Sequence, residues 1–307
     1  MRVVFLGSPP FALPSLKALA TNYTVVTVIS QPDRPAGRGR EHTAPATKIF
    51  ATEAGIPVFQ PDRLRDLDAI NHIADLEPYM LVVAAYGQIL SQALLDVPKN
   101  GSLNVHASLL PRWRGAAPIQ AAILHVDEQS GVTIMEMDAG LDTGPILSQQ
   151  KIELTADETG GSLTERLSKI GSGLLVETIP KLLSGGISPD PQDETQATHA
   201  PTLKKSDGEL DLNSTAEQLT RQIRAYDPWP GSFIMWGDRR LVVKRAHTAS
   251  PNGTATGKVM MVENLPAVAT HDGVLVLDMI QPAGKREMSG EAFVRGAPAF
   301  IGAQLPT

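Results

Sequence analysis

The chain has 307 residues, 42% hydrophobic and 20% charged, which is typical of a globular protein of about two domains. It has no cysteine, which excludes disulfides and thiolate chemistry, and no run of about 18 apolar residues that would predict a membrane span. A net charge of −6 argues against nucleic-acid binding over the whole surface, although local basic patches can still steer a polyanion.

The first half of the chain alternates short apolar runs with amphipathic stretches, and its opening run, Met1–Gly7, is too short to predict a signal peptide. Buried strands are predicted at Val3–Leu6, Val25–Ile29, Met80–Ala84, Leu103–Val105, Gly131–Glu136 and Ile146–Ile152. Helices are predicted at Pro14–Ala20, Ala44–Ala54, Asp66–Leu76, Ile89–Leu95 and Ser162–Leu183. This alternation predicts an α/β domain with a doubly wound, mostly parallel sheet, whose ligands bind beyond the carboxyl ends of the strands.

The pattern changes after Gly186. The polar stretch Ile187–His199 contains prolines and no period, which predicts a linker. Beyond a helix at Ala216–Ile223, short strands are predicted at Ser232–Trp236, Leu241–Arg245, Gly257–Val262, Val268–His271 and Val274–Ile280. Short strands set by such turns are typical of a small β-barrel. We therefore expect an α/β domain over 1–186, a linker over 187–204 and a C-terminal β-barrel domain over 205–307.

Two polar side chains stand at the end of the fourth predicted strand. Asn104 and His106 are two residues apart, so a strand projects them to the same face. An amide can donate to a developing oxyanion, and an imidazole can stabilise the same oxygen or move a proton, as acyl transfer requires. Taken alone, Asn-x-His is more often a polar strand end with a structural histidine.

A loop of two carboxylates and two glycines, Asp138–Gly144, lies between the next two predicted strands. Its glycines allow the backbone to approach a ligand closely. Asp142 can orient an imidazole or collect the proton lost by an amine. An ordinary turn explains the same residues, because Asp and Gly are common in turns.

Two segments concentrate positive charge. The segment Gln31–Lys48 reads as a loop and holds Arg34, Arg38, Arg40 and Lys48. The second segment, Arg239–His247, carries Arg239, Arg240, Lys244 and Arg245 on a predicted strand. Both can contact a phosphate backbone. A solvated loop and an edge strand protected by charge explain them equally well.

Several familiar kinds of binding site are not predicted, because their sequence motifs are absent. The first strand is not followed by G-x-G-x-x-G, no G-x-x-x-x-G-K-[ST] occurs, and the seven histidines are scattered without H-E-x-x-H, so no dinucleotide, phosphate-loop or metal site is predicted. Ser108 with His106 and Asp142 does not predict a hydrolase triad, because no G-x-S-x-G surrounds the serine.

Three of these stretches together resemble the signature of the folate-dependent formyltransferases: Asn104–His106, Ser108–Pro111 and Gly140–Gly144. The resemblance implies Asn104, His106 and Asp142 as the catalytic set. It also implies a folate pocket lined by Gln88, Ile89, Leu90, Ser108, Leu109, Leu110 and Pro111. The expected formyl donor is the co-substrate 10-formyltetrahydrofolate, with no metal and no prosthetic group.

Members of this family differ in their acceptor. The stretches Asp33–Arg40, Arg112–Gln120 and Ile223–Gly231 resemble the branch that formylates the free amino group of methionine esterified to initiator tRNA. Residues 42–47 match that branch least well. The resemblance implies tRNA contacts by Arg34, Arg38, Arg40, Arg239, Arg240, Lys244 and Arg245. We expect a cytoplasmic transferase of translation initiation, with no membrane and no obligate protein partner.

The implied mechanism is attack of the methionine amine on the formyl carbon, with the tetrahedral oxyanion held by Asn104 and His106. Asp142 keeps the imidazole oriented and charged, because a nearby carboxylate favours the imidazolium. Two other classes stay open. One is a different folate enzyme, either a sugar formyltransferase or a hydrolase releasing formate, and the other is a tRNA-binding module without catalysis.

Overall fold

The computed structural model describes residues 1–36, 41–250 and 253–307. The chain divides into two compact units. The first comprises Met1–Pro118, Gln129–Glu153 and Thr164–Pro201, and the second comprises Ile119–Glu128, Leu154–Leu163 and Thr202–Thr307. In the described part of the chain, no helix is long and apolar enough to cross a membrane.

Up to residue 200, each predicted strand and helix is present, and the structure adds short strands and a short helix that the sequence does not predict. The strands are β1 (Arg2–Gly7), β2 (Thr24–Ile29), β3 (Arg34–Ala36), β4 (Glu41–Thr43), β5 (Val58–Phe59), β6 (Met80–Ala84), β7 (Ser102–His106), β8 (Arg114–Gly115), β9 (Gln129–Glu136), β10 (Ile146–Glu153) and β11 (His199–Ala200). The helices are α1 (Leu13–Asn22), α2 (Ala46–Glu53), α3 (Leu67–Asp75), α4 (Gln92–Leu95), α5 (Pro118–Leu124) and α6 (Gly160–Leu183).

The first unit is built on a seven-stranded sheet in the order β10-β9-β7-β6-β1-β2-β5. Strands β5, β2, β1, β6 and β7 run parallel, and β9 and β10 are antiparallel to their neighbours. All five residues of β6 and of β7 are buried, because the central strands of such a sheet are covered on both faces. β6 is apolar throughout, whereas β7 also contains Ser102, Asn104 and His106. The predicted doubly wound, mostly parallel sheet is confirmed.

The order of the strands reverses beside β1. The chain proceeds from β1 to β2 and β5 on one side, and then returns to the other side of β1 with β6. A reversal of this kind opens a crevice beyond the carboxyl ends of the strands, where ligands of open α/β sheets bind. The segment Tyr86–Leu90 follows β6 at this edge, and Ser108–Pro111 follows β7.

The C-terminal part of the second unit, Thr202–Thr307, contains an antiparallel sheet and the helices α7 (Ala216–Ala225) and α8 (Gly290–Gly296). Its strands are β12 (Ser232–Trp236), β13 (Arg239–Ala249), β14 (Val259–Val262), β15 (Leu265–Ala269), β16 (Val274–Pro282) and β17 (Met288–Ser289). They pair in the order β12-β13-β16-β15-β14, with β17 also on β16. Thr215 and Gln218 cap α7 reciprocally, which fixes its predicted start. The predicted small β unit after the α/β unit is confirmed as this antiparallel sheet.

The segment predicted as a linker is more ordered than its composition suggests. Asp190 exchanges two main-chain hydrogen bonds of 2.8 Å with Ile146, and β11 pairs in parallel with β8. The first compact unit accordingly extends to Pro201. Within the basic loop 31–48, β3 and β4 pair as an antiparallel ribbon.

Candidate active site

Asn104 and His106 lie where the sequence predicts, on one face at the end of β7. Both side chains are buried, with 9% and 5% of their surface exposed. β7 is held between β6 and β9, which fixes the direction of both side chains. An amide and an imidazole on such a rigid strand meet the requirement for preorganised donors.

Asp142 lies in the connection between β9 and β10 and contacts both of these residues. Its Oδ1 accepts a hydrogen bond of 3.3 Å from Nδ2 of Asn104, and its Oδ2 lies 3.6 Å from Nδ1 of His106. The main-chain N–H of Gly115 donates to the same Oδ2 at 2.8 Å. The structure therefore brings together the three predicted catalytic residues, and adds a main-chain donor.

The other ring nitrogen of His106 faces the main chain. Nε2 lies 3.0 Å from the carbonyl oxygen of Trp113. A carbonyl can only accept, so Nε2 carries a proton and donates. Trp113 and Asp142 both adopt left-handed backbone conformations, with φ of 62° and 54°. Such conformations in non-glycine residues often mark functional sites.

The predicted folate residues are divided between exposed and internal positions. At the crevice edge, Ile89 is 83% exposed, whereas Leu90 is buried. The amide of Gln88 is engaged by the main chain of the neighbouring loop, since it accepts from Leu64 N–H at 2.9 Å and donates to the Asp62 carbonyl. Ile89 is thus the apolar side chain that this segment offers to a ligand.

The segment after β7 is fixed mainly through internal contacts. The Ser108 hydroxyl donates to the Arg112 carbonyl at 2.6 Å, and Leu110 is buried with its N–H on the Thr133 hydroxyl. Leu109 is only partly buried and Pro111 also keeps some exposure. Ser108 and Leu110 are therefore held by internal contacts.

The predicted tRNA residues of the basic loop are described only in part. Arg34 is exposed and donates to the Gln31 side chain at 3.2 Å. Lys48 is paired with Asp33 at 2.7 Å. Arg38 and Arg40 lie outside the described residues.

The predicted basic strand is β13, and it is not an edge strand, because β12 and β16 pair with its two sides. Arg239 is exposed, and the side chain of Arg245 is 72% exposed, 4.0 Å from Asp278. Lys244 lies 3.4 Å from Asp227. Arg240 packs its guanidinium 3.5 Å from the ring centre of Phe233, which makes it mainly a packing residue.

Comparison with known proteins assigns the chain to a family. Residues 1–179 match the family model described as formyl transferase, and residues 202–298 match the formyl transferase C-terminal domain. The chain belongs to the formyl transferase family. A relative named methionyl-tRNA formyltransferase, from Magnetococcus marinus, is 46% identical over 306 residues, which cover 99% of this chain and 98% of the relative.

Solved structures share the fold of this formyl transferase at low identity. WlaRD, a sugar 3N-formyl transferase solved in the presence of dTDP and 5-N-formyl-THF, superposes with a TM-score of 0.65 at 19% identity, over 93% of this chain and 99% of that one. HypX from Aquifex aeolicus, in complex with tetrahydrofolic acid, gives 0.63 at 16% identity. That match covers 98% of this chain and 47% of HypX, so the chain spans about half the length of that protein.

One part of this candidate site was not predicted from the sequence. Residues 190–200, which we call the strap, run along the loops that carry Trp113 and Asp142. Within the strap, Gln192 donates from Nε2 to the carbonyls of Asp142 and Gly144, at 2.8 and 2.7 Å. Thr198 accepts from the Trp113 N–H at 2.9 Å. A glutamine and a threonine in a polar, proline-containing stretch give no signal of such contacts.

Arg114 connects the strap to the first of these loops. Its guanidinium is almost fully buried, donates to both carboxylate oxygens of Glu194 at 2.8 and 2.9 Å, and donates from Nε to Oε1 of Gln192 at 3.0 Å. The hydrogen bonds from Arg114 hold the pKa of Glu194 below its ordinary value of 4.5. The bond to Glu194 in turn raises the pKa of Arg114. The strap is thus anchored by a charged, bidentate contact.

The pairing of β8 with β11 depends on a glycine. At Gly115, φ is 113°, and a Cβ atom there would lie 2.6 Å from the carbonyl oxygen of Ala200. Only glycine allows this close approach without displacing one of the two segments. The N–H of the same glycine donates to the carboxylate of Asp142, so Gly115 contacts both the strap and the candidate site.

Proposed function

We propose that this protein transfers the formyl group of 10-formyltetrahydrofolate to the amino group of methionine esterified to initiator tRNA. The observation that carries the proposal is the near-full-length identity to a relative named for that reaction, on a chain whose amide, imidazole and carboxylate converge. Translation initiation takes place in the cytoplasm, so the protein would act there, without a membrane or an obligate protein partner.

A reduced folate is the donor that best fits the first unit. Two proteins of the same fold were solved with tetrahydrofolate compounds. In this chain, the crevice beyond β6 and β7 offers the exposed side chain of Ile89 and the segment Ser108–Pro111. An apolar wall with a few fixed polar groups is typical of sites for small planar ligands. The polar groups of Gln88, Ser108 and Leu110 are bonded within the protein, so these segments would hold the donor mainly by their shape.

The catalytic set would act on the formyl oxygen. One N–H of Asn104 is bonded to Asp142, which orients the amide and leaves the second N–H for the oxyanion. His106 donates from Nε2, and would exchange the Trp113 carbonyl for the formyl oxygen as negative charge develops there. Asp142 holds both donors in place through its two carboxylate oxygens.

The proposed reaction is an ordinary acyl transfer, in which one C–N bond forms and another breaks. The neutral methionine amine forms a C–N bond to the formyl carbon, and the tetrahedral intermediate then breaks the bond to the folate nitrogen. The attacking amine loses one proton, for which Asp142 is the anionic acceptor through water, and the departing folate nitrogen gains one.

The acceptor tRNA would contact both units. In the first unit we assign Arg34, Arg38 and Arg40 to the acceptor end, and in the second the exposed Arg239 and Arg245, with Lys244 and Arg240 beside them. Positive charge concentrated at these places allows an acidic protein to bind a polyanion. The first unit would thus carry formyl transfer, and the second would add tRNA affinity.

The proposal is tested by incubating the protein with 10-formyltetrahydrofolate and methionyl initiator tRNA, and by measuring formylmethionine with mass spectrometry. Uncharged tRNA and a nucleotide-linked amino sugar are the controls. We expect product only with the charged tRNA. Formylation of the sugar alone, or release of formate without any formylated product, would contradict the assigned acceptor.

A further inference from the structure

We propose that Gln192, in the strap, is a positioning residue that sets the place of Asp142 in the candidate active site. The inference rests on the proposed function only for the activity assay. The amide of Gln192 connects the Asp142 loop to Arg114. The geometry gives each atom of that amide a partner.

The orientation of the amide is fixed by chemistry. Nε of Arg114 can only donate, so the atom of Gln192 that faces it at 3.0 Å is the oxygen. The amide nitrogen is thereby directed at the carbonyls of Asp142 and Gly144, and its two N–H groups match these two acceptors. If the amide were reversed, its NH2 group would face the Nε–H of Arg114, and its oxygen would face the two carbonyl oxygens.

The Asp142 loop needs such a support. Asp142 has a left-handed backbone, with φ of 54°, a conformation that is less favourable for aspartate than for glycine and that contacts with its surroundings can stabilise. Its side chain must meet Asn104, His106 and Gly115 at the same time. A hydrogen bond on the carbonyl of Asp142 itself fixes the peptide plane from which this side chain departs.

The other contacts of the strap hold its backbone in register with the same loops. Asp190 is bonded to Ile146, just beyond the Asp142 loop, and Thr198 is bonded to Trp113 and to Pro111. Gln192 lies between these two anchors. Loss of its side chain should therefore leave the strap in place and release only the Asp142 loop.

The test is a double-mutant cycle on the intact protein. Gln192→Ala should lower kcat for formyl transfer about 10- to 100-fold, because a small misplacement of a catalytic group is costly, with little change in KM for either substrate. In an Asp142→Ala background, measured in single turnovers, the same change should cost less than about twofold, because the group being positioned is gone.

Two further variants separate positioning from general support. Gln192→Glu keeps the size of the side chain and the acceptor for Arg114, but sets a carboxylate against two carbonyls, and it should lose as much kcat as Gln192→Ala. The matched control is Gln196→Ala, since Gln196 is exposed and donates to Asp193 within the strap. It should keep wild-type kcat.

The inference is overturned if Gln192→Ala keeps kcat within about twofold of the wild type, or if its cost is equal in the two backgrounds. If the wild type itself transfers no formyl group to methionyl-tRNA, the proposed function fails. Gln192 can then still be tested on the Gly115 N–H, which donates to the Asp142 carboxylate. Faster hydrogen exchange of this N–H in Gln192→Ala than in Gln196→Ala supports the inference, and equal exchange in the two variants overturns it.

Discussion

At the scale of single residues, the carboxylate of Asp142 contacts three other residues of the candidate site. Asn104 and Gly115 donate to its two oxygens, and the His106 ring faces one of them. Asp142→Asn would oppose a new N–H to one of these donors, so even this isosteric change should disturb the site. We therefore expect that this position needs an acceptor at both side-chain oxygens.

The first prediction concerns His106. We expect His106→Ala to lower kcat about 100-fold, since the oxyanion loses a donor and the carboxylate of Asp142 loses its partner. The fold should be retained, because the ring is bonded to one carbonyl at the end of a strand that β6 and β9 hold in place. Single-turnover formylation and circular dichroism measure the two effects.

His271→Ala is the control for that variant, because the His271 side chain is exposed in the second unit. It should keep wild-type activity. Near-normal turnover of a folded His106→Ala protein would show that the histidine is structural, which is the alternative that an isolated Asn-x-His leaves open.

At the scale of secondary-structure elements, β13 combines packing with exposed charge. Leu241 and Val243 are buried on one side, while Arg239 and Arg245 stand in solvent. A shift in register on both sides of Arg245 breaks the simple alternation that the sequence predicts for this strand. Such bulges turn a side chain away from the face that its number alone would give.

The second prediction concerns these two arginines. The double variant Arg239→Ala and Arg245→Ala should raise the apparent KM for methionyl-tRNA and leave kcat and folate binding unchanged. If each touches one phosphate, the slope of log affinity against log salt should fall by about one for each lost contact. Filter binding over a range of salt concentrations measures this slope.

Lys151→Ala with Lys181→Ala removes two exposed cations from the first unit and serves as the matched control. It should leave the salt slope unchanged. An unchanged slope in the arginine variant as well would mean that β13 carries only solvated charge.

The sequence predicts elements and chemistry well where a pattern is local. The strand β6 is placed to the residue, because its five residues form one apolar run. In β7, Asn104 and His106 lie on one face because alternate residues of a strand point the same way. Residues 190–200 could not be placed in the same way. Their contacts are long-range hydrogen bonds of Gln192, Glu194 and Thr198, and polar side chains in an irregular segment leave no period to detect.

At the scale of the whole molecule, the strap lengthens the first unit beyond its last helix. The long helix α6 ends at Leu183, yet the compact unit continues to Pro201. A bidentate pair joins Arg114 to Glu194, which is 80 residues away. This contact ties the strap to the loop that carries Trp113.

The third prediction follows from the lowered pKa of Glu194. A carboxyl whose pKa is lower in the folded state stabilises the fold above its ordinary pKa of 4.5, and this contribution is lost as the pH falls through the lower, folded value. The Tm advantage of the wild type over Glu194→Gln should therefore be constant near neutral pH and shrink below about pH 4.5.

Thermal unfolding followed by circular dichroism at a series of pH values measures this difference. Glu177→Gln removes an exposed carboxylate from α6 and controls for the loss of one charge. If the Tm advantage over Glu194→Gln stayed constant into acid, the pair with Arg114 would not contribute to the stability of the fold.

The separation between Asp142 and Gln192 also has a consequence in time. A ribosome makes the chain from its amino end, and Gln192 follows Asp142 by 50 residues. At roughly 5–20 residues per second, the Asp142 loop emerges several seconds before the side chain that orients it. Throughout that interval, the nascent chain holds every predicted catalytic residue without a completed site. If Gln192 orients Asp142 as we propose, the catalytic residues become competent only after synthesis passes residue 192.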